Sequence, residues 1–132
     1  MGNRGTMLRI AIVAGLGGLL SGCASYGGLP RSDARVVVLS SRQVELRQPD
    51  VLIVPEGTRV HGWACRRSRA SVAGSSIQVE RIGADGRPVA IAEERLNTTR
   101  LGEHPVGCVV YDVKTSWRLE ANETLRVSVR RR

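Results

Sequence analysis

Phenylalanine is absent from this chain, and two tryptophans and two tyrosines supply all the aromatic surface in 132 residues. Any core must therefore rest mainly on aliphatic side chains, with few of the large single burials that aromatic rings provide. Lysine is almost missing as well: Lys114 is the only one, so the positive charge is carried by arginine. No apolar run approaches the ~20 residues of a membrane-crossing helix. The longest, Ile10–Leu20, has eleven residues and contains Gly15, Gly17 and Gly18. Signatures of catalysis are missing too. There is no Gly-x-Ser-x-Gly elbow, no glycine-rich phosphate loop and no His-Glu-x-x-His pair. Glu93 and Glu94 are adjacent, so on a strand they point to opposite sides and form no acid/base pair. His61 and His104 have no nucleophile beside them. These absences point away from an enzyme.

What remains is a basic chain, with a formal net charge of +8 and a pI near 10.9. Such a balance suits a solvated surface, or affinity for anions such as lipid headgroups, phosphates or cell-wall carboxylates. The first 23 residues have three parts: a short positive stretch with Arg4 and Arg9, the uncharged run Ile10–Leu20, and then Leu20-Ser21-Gly22-Cys23. An eleven-residue apolar run behind positive charge is the layout of a secretory signal segment. Met7 serves as well as Met1 for the start, since Met7-Leu8-Arg9 suffices as the positive region. The pattern Met1-Gly2-Asn3-Arg4-Gly5-Thr6 also fits N-myristoylation, but the apolar run behind it makes no sense in that system.

Leu20-Ser21-Gly22-Cys23 resembles the lipobox of bacterial lipoproteins: an aliphatic residue, two small residues, then cysteine. The resemblance covers residues 1–23 alone. It implies cleavage before Cys23, diacylglycerol on the Cys23 thiol and an acyl chain such as palmitate on its freed amine. At roughly 0.8 kcal/mol per buried methylene, two or three chains form a lasting anchor. Removal of residues 1–22 takes Arg4 and Arg9 with it and leaves a net +6. Ala24 and Ser25 follow the cysteine where an aspartate would imply retention at the inner membrane, so the resemblance points to the outer membrane, facing the periplasm. Nucleic acid is not an expected partner in that compartment. The sequons at Asn97 and Asn122 carry no weight in a bacterium.

Residues 23–34 read as the lipidated cysteine and a flexible tether containing Gly27, Gly28 and Pro30. Residues 35–132 read as one all-β domain. Val36–Leu39, Val44 with Leu46, Val51–Val54, Arg59–Arg66, Ile77 with Val79, and Val89 with Ile91 are short apolar or alternating strands. Gly83-Ala84-Asp85-Gly86 marks a hairpin. Val109, Tyr111 and Val113 share one strand face. Trp117 and Leu119, a turn at 120–123, and Leu125, Val127 and Val129 suggest a closing hairpin. Roughly seven to nine strands at this spacing predict a small antiparallel β-sandwich, immunoglobulin-like in architecture.

With Cys23 assigned to lipid, Cys65 and Cys108 remain, and a disulfide is the expectation in an oxidising compartment. Each follows a histidine by four residues, His61 and His104, which leaves open a metal- or small-ligand-binding module built from His61, His104, Cys65 and Cys108. On strands, residues four apart lie about 13 Å from each other, which weighs against it. Alternation also puts Cys108 opposite in facing to Tyr111. Either the bond crosses the outer surface, or a bulge near Gly107 redirects the strand. Two basic groups complete the candidates for anion binding: Arg66, Arg67 and Arg69, and the terminal Arg130, Arg131 and Arg132. The terminal group is expected to continue beyond the last strand as a charged end. No cofactor is expected apart from covalent lipid on Cys23, and the expected partners are the membrane and an envelope protein or peptidoglycan.

Overall fold

A computed structural model describes residues 29–30, 33–67, 72–97 and 107–131. The lipobox-like segment with Cys23, and His104, Arg69 and Arg132, lie outside the described residues. Nine strands occur among those described: β1 (Leu29–Pro30), β2 (Arg35–Leu39), β3 (Val44–Leu46), β4 (Asp50–Val54), β5 (Gly57–Arg66), β6 (Ser75–Ile82), β7 (Pro88–Arg95), β8 (Cys108–Lys114) and β9 (Thr124–Arg131). The protein is all-β, with two sheets facing each other.

The first sheet is organised around β5, the longest strand. On one side β5 pairs with β8, from Arg59↔Lys114 to Cys65↔Cys108. On the other side it pairs first with β4 and then with β3. Three residues, 47–49, stand opposite Gly62 and Trp63 at the break between β4 and β3, and the Arg47 amide donates to the Trp63 carbonyl at 3.0 Å. This two-against-three count is a bulge, which keeps one edge running while bending it. β1 extends the sheet beyond β4, with Leu29 opposite Ile53. The second sheet has the order β2-β9-β6-β7. β6 and β7 form the hairpin expected at Gly83–Gly86, closed by the Gly83 amide donating to the Arg87 carbonyl.

Two expectations need correction. The closing hairpin does not form: Trp117 and Leu119 lie in no strand, and β9 pairs with β6 and β2 in the second sheet, whereas β8 belongs to the first. Trp117 and Leu119 belong to the crossover between them. Buried hydrogen bonds fix that crossover, because Thr115 Oγ1 donates towards the Thr58 carbonyl and the Leu119 amide donates to Thr58 Oγ1. Held in this way, Trp117 and Leu119 do not pair with β9. The sandwich is also not wholly antiparallel, since β2 runs parallel to β9, with Val36 beside Leu125 and Val38 beside Val127.

Alternation explains the core. Val60 and Ala64 on β5, Val109, Tyr111 and Val113 on β8, Ile77 and Val79 on β6, and Leu125 and Val127 on β9 meet between the sheets. Apart from Tyr111 these are aliphatics of modest size, as a chain without phenylalanine and with few aromatics suggests. On β7 the pattern is reversed from what side-chain size suggests. Val89 and Ile91 face solvent at 51% and 56% exposure, while Ala92 packs against the core.

Candidate anion-binding pole

Cys65 and Cys108 are joined by a disulfide with an S–S distance of 2.01 Å. They stand directly opposite on β5 and β8, and the Arg66 amide donates to the Gly107 carbonyl on the adjacent rung. The cysteines thus occupy a non-hydrogen-bonded pair, where opposed side chains come closest. The register runs without a shift from Cys65 to Arg59, so no bulge redirects β8. The bond therefore crosses the outer face of the first sheet, alongside Trp63 and Val110, and links neighbouring strands rather than the two sheets. Antibody domains place theirs between sheets. In this oxidised form both sulfurs are committed to the bond. His61 lies opposite Asp112, four rungs from Cys65. Among the described residues no group of three or more His, Cys, Asp or Glu is placed to hold a metal ion.

Strand direction decides where the arginines go. β5 ends at Arg66, and residues 67–74 carry the chain to the start of β6 at Ser75, which pairs with Arg131 at the end of β9. β2 ends at Leu39 and leads through Arg42 to β3, where Val44 opposes Arg66. β7 ends at Arg95, opposite Ser76. Arg42, Arg66, Arg67, Arg95, Arg130 and Arg131 consequently gather at one pole of the sandwich, and all six are exposed. The carboxylates near that end are Glu45, opposite Cys65, Glu94, opposite Ile77, and Glu93, which accepts from the Ser76 hydroxyl. The opposite pole carries Asp33, Glu56, Asp85, Glu120 and Glu123 together with Arg35, Arg87 and Arg118.

The two basic groups expected from the sequence are thus brought together, as far as they are described. The expectation for the terminal group is corrected in one respect. Arg130 and Arg131 do not extend beyond the strand; they are paired rungs of β9, opposite Ser76 and Ser75, and Arg130 Nε donates to Gln78 Oε1. The alternation of Leu125, Val127 and Val129 simply continues in backbone pairing after the apolar residues end. Arg42 and Arg95 join the pole from distant segments, and isolated arginines carry no local signal of such convergence.

Among the arginines elsewhere, Arg59, Arg81 and Arg126 pair with carboxylates, whereas Arg35, Arg47, Arg87 and Arg118 do not among the described residues. Arg59 makes a two-pronged contact with Asp112, the Nε arm at 2.6 Å. Its guanidinium holds the Asp112 carboxyl below the usual range. Arg126 Nε donates to Glu80 Oε2 at 2.6 Å, and this bond likewise lowers the Glu80 pKa although burial opposes it. Arg81 pairs with Glu123 at 3.4 Å and lies 5.8 Å from the Trp117 ring centre. Arg42, Arg66, Arg67, Arg95 and Arg131 likewise have no carboxylate partner among the described residues.

A shallow recess of about 360 Å³ opens between β7 and β8, lined by Glu93, Glu94, Asp112, Val113 and Lys114. Burial, and then the Asp112 charge, raise the Glu94 pKa while Lys114 opposes the shift. Glu93 instead bonds Ser76, so the two neighbouring glutamates do face different partners. No family model, curated protein or solved structure matches this chain.

Proposed function

We propose that this chain is an outer-membrane-anchored periplasmic lipoprotein with a non-enzymatic structural or interaction role in the cell envelope. The observation that carries the reading is the fate of the cysteines. Of the three in the chain, Cys65 and Cys108 pair with each other, and the remaining one is Cys23 of Leu20-Ser21-Gly22-Cys23. A disulfide suits an oxidising compartment, which is where the signal-like segment would deliver the domain. Ala24 and Ser25 favour the outer membrane. The layered pair of sheets supports an immunoglobulin-like architecture in the broad sense, and a role in interaction rests there on analogy of architecture.

Replacement of Cys23 tests the reading. Cys23→Ser should leave an uncleaved precursor that incorporates no labelled fatty acid and is not retained by membranes through lipid. A Cys23→Ser chain that still matures and still takes up fatty acid contradicts it. Density separation of the two membranes tests the placement, with recovery in the outer-membrane fraction expected.

A further inference from the structure

We infer that the arginine pole binds a carboxylate-bearing polymer of the envelope, the peptide-substituted glycan of the cell wall, and that it faces away from the anchoring membrane. The orientation rests on the reading of Cys23 as the anchor. Both segments that lead from Cys23 into the sandwich enter at the other pole. Leu29 and Pro30 pair with Ile53 and Leu52, next to the turn at Pro55-Glu56. Arg35 opens β2 beside Thr124, at the end where the 83–87 turn also lies. Six residues from Cys23 to Leu29 reach at most about 20 Å. The rung at Ile53 opposes Thr58, and Arg66 stands eight residues further along β5, about 26 Å away. The pole is therefore the part of the domain farthest from its tether.

Its chemistry selects the partner. A guanidinium offers a planar fork that matches a carboxylate with two parallel hydrogen bonds. The unpaired arginines come from separate loops and strand ends of both sheets, which face each other at about 10 Å. Arg66 and Arg67 close the end of the first sheet, and Arg95 and Arg131 that of the second. Single forks spread over a surface suit a polymer whose carboxylates are themselves spaced. Such a polymer is what a domain tethered at its opposite end meets on the far side.

The test uses full-length protein extracted from membranes in detergent and sedimented with isolated cell-wall sacculi. One variant combines Arg66→Gln, Arg95→Gln and Arg131→Gln. A second combines Arg35→Gln, Arg87→Gln and Arg118→Gln, which removes the same charge from the tether pole. We expect roughly tenfold weaker sedimentation for the first variant at low salt, little change for the second, and convergence of all three as salt rises. Amidation of the sacculus carboxylates should abolish the difference. Unfolding midpoints should match, because these side chains are solvated. Equal weakening by both variants, or no weakening by either, overturns the proposal. So does a first variant that binds sacculi normally but loses sedimentation with vesicles of anionic phospholipid, which would assign the pole to a bilayer. Failure of the anchor reading is separately visible, as a chain without lipid on Cys23 that still binds sacculi through the pole.

Discussion

Tyr111 lies across the β5–β8 ladder over Gly62: a methyl group built on Gly62 would stand 2.5 Å from the Tyr111 hydroxyl and 2.7 Å from the carbon bearing it. The glycine leaves a gap in the core face of β5, and the only aromatic residue of the buried cluster among the described residues fills it from the neighbouring strand.

Gly62→Ala should therefore destabilise the domain although alanine is the better strand residue in isolation. Overpacking of this kind costs about 1–3 kcal/mol. Urea unfolding of the purified chain checks it, and an unchanged midpoint would show that the ring moves aside without cost.

The Tyr111 hydroxyl is buried without a hydrogen-bond partner among the described residues. Burial, and then the Asp50 charge, push its pKa well above the ordinary tyrosine range. Tyr111→Phe removes an uncompensated polar group and should stabilise by about 1 kcal/mol. A loss of stability would reveal a partner for the hydroxyl.

Much of this arrangement was legible in the sequence and some was not, for physical reasons. Strands were readable wherever alternation or branched residues ran unbroken, as in Val109, Tyr111 and Val113. The partner of Tyr111 was not, because Gly62 has no side chain to register a facing. The course of β9 is not legible, because a turn at 120–123 between two apolar segments looks the same whether the chain reverses within a sheet or crosses to the other. Only the distant Thr58, bonded to Thr115 and Leu119, decides between them. Cys65 and Cys108 were paired by compartment, but only the register showed that the bond lies on the outer face. The arginine pole was half visible: neighbours such as Arg66 and Arg67 signal themselves, whereas Arg42 and Arg95 join them only through strand direction.

The disulfide closes a separation of 43 residues, and in the chain-entropy model such a loop contributes about 4 kcal/mol. Protein matured in the periplasm should show no titratable thiol when denatured. Reduction should lower the thermal midpoint by several degrees. Two free thiols in the denatured protein would remove this contribution from the account.

Acid should destabilise the fold in a definite order. Asp112 and Glu80 have depressed pKa values in the folded state, through Arg59 and Arg126. Their stabilisation is present above the unfolded carboxylate range of about 4 and is lost as pH falls through their folded values. Glu94 is raised by burial, so its protonation comes first and favours the folded state. The urea midpoint should hold or rise slightly as pH drops from 7 towards about 5, then fall steeply. Asp112→Asn should weaken stability at neutral pH by roughly 1.5–3 kcal/mol and flatten the acid limb. A wild-type midpoint that falls steadily from neutrality contradicts this order.

The reading of the chain as an anchored envelope protein stands or falls on its first mature residue. Intact-mass measurement of the protein extracted from its own membranes, with fragmentation of the N-terminal peptide, tests it most directly. The expected species begins at Cys23, lacks residues 1–22, carries diacylglycerol on the thiol with an acyl chain on the amine, and is two hydrogens lighter for the Cys65–Cys108 bond. A chain that retains residues 1–22, or begins at Cys23 without lipid, would contradict the account.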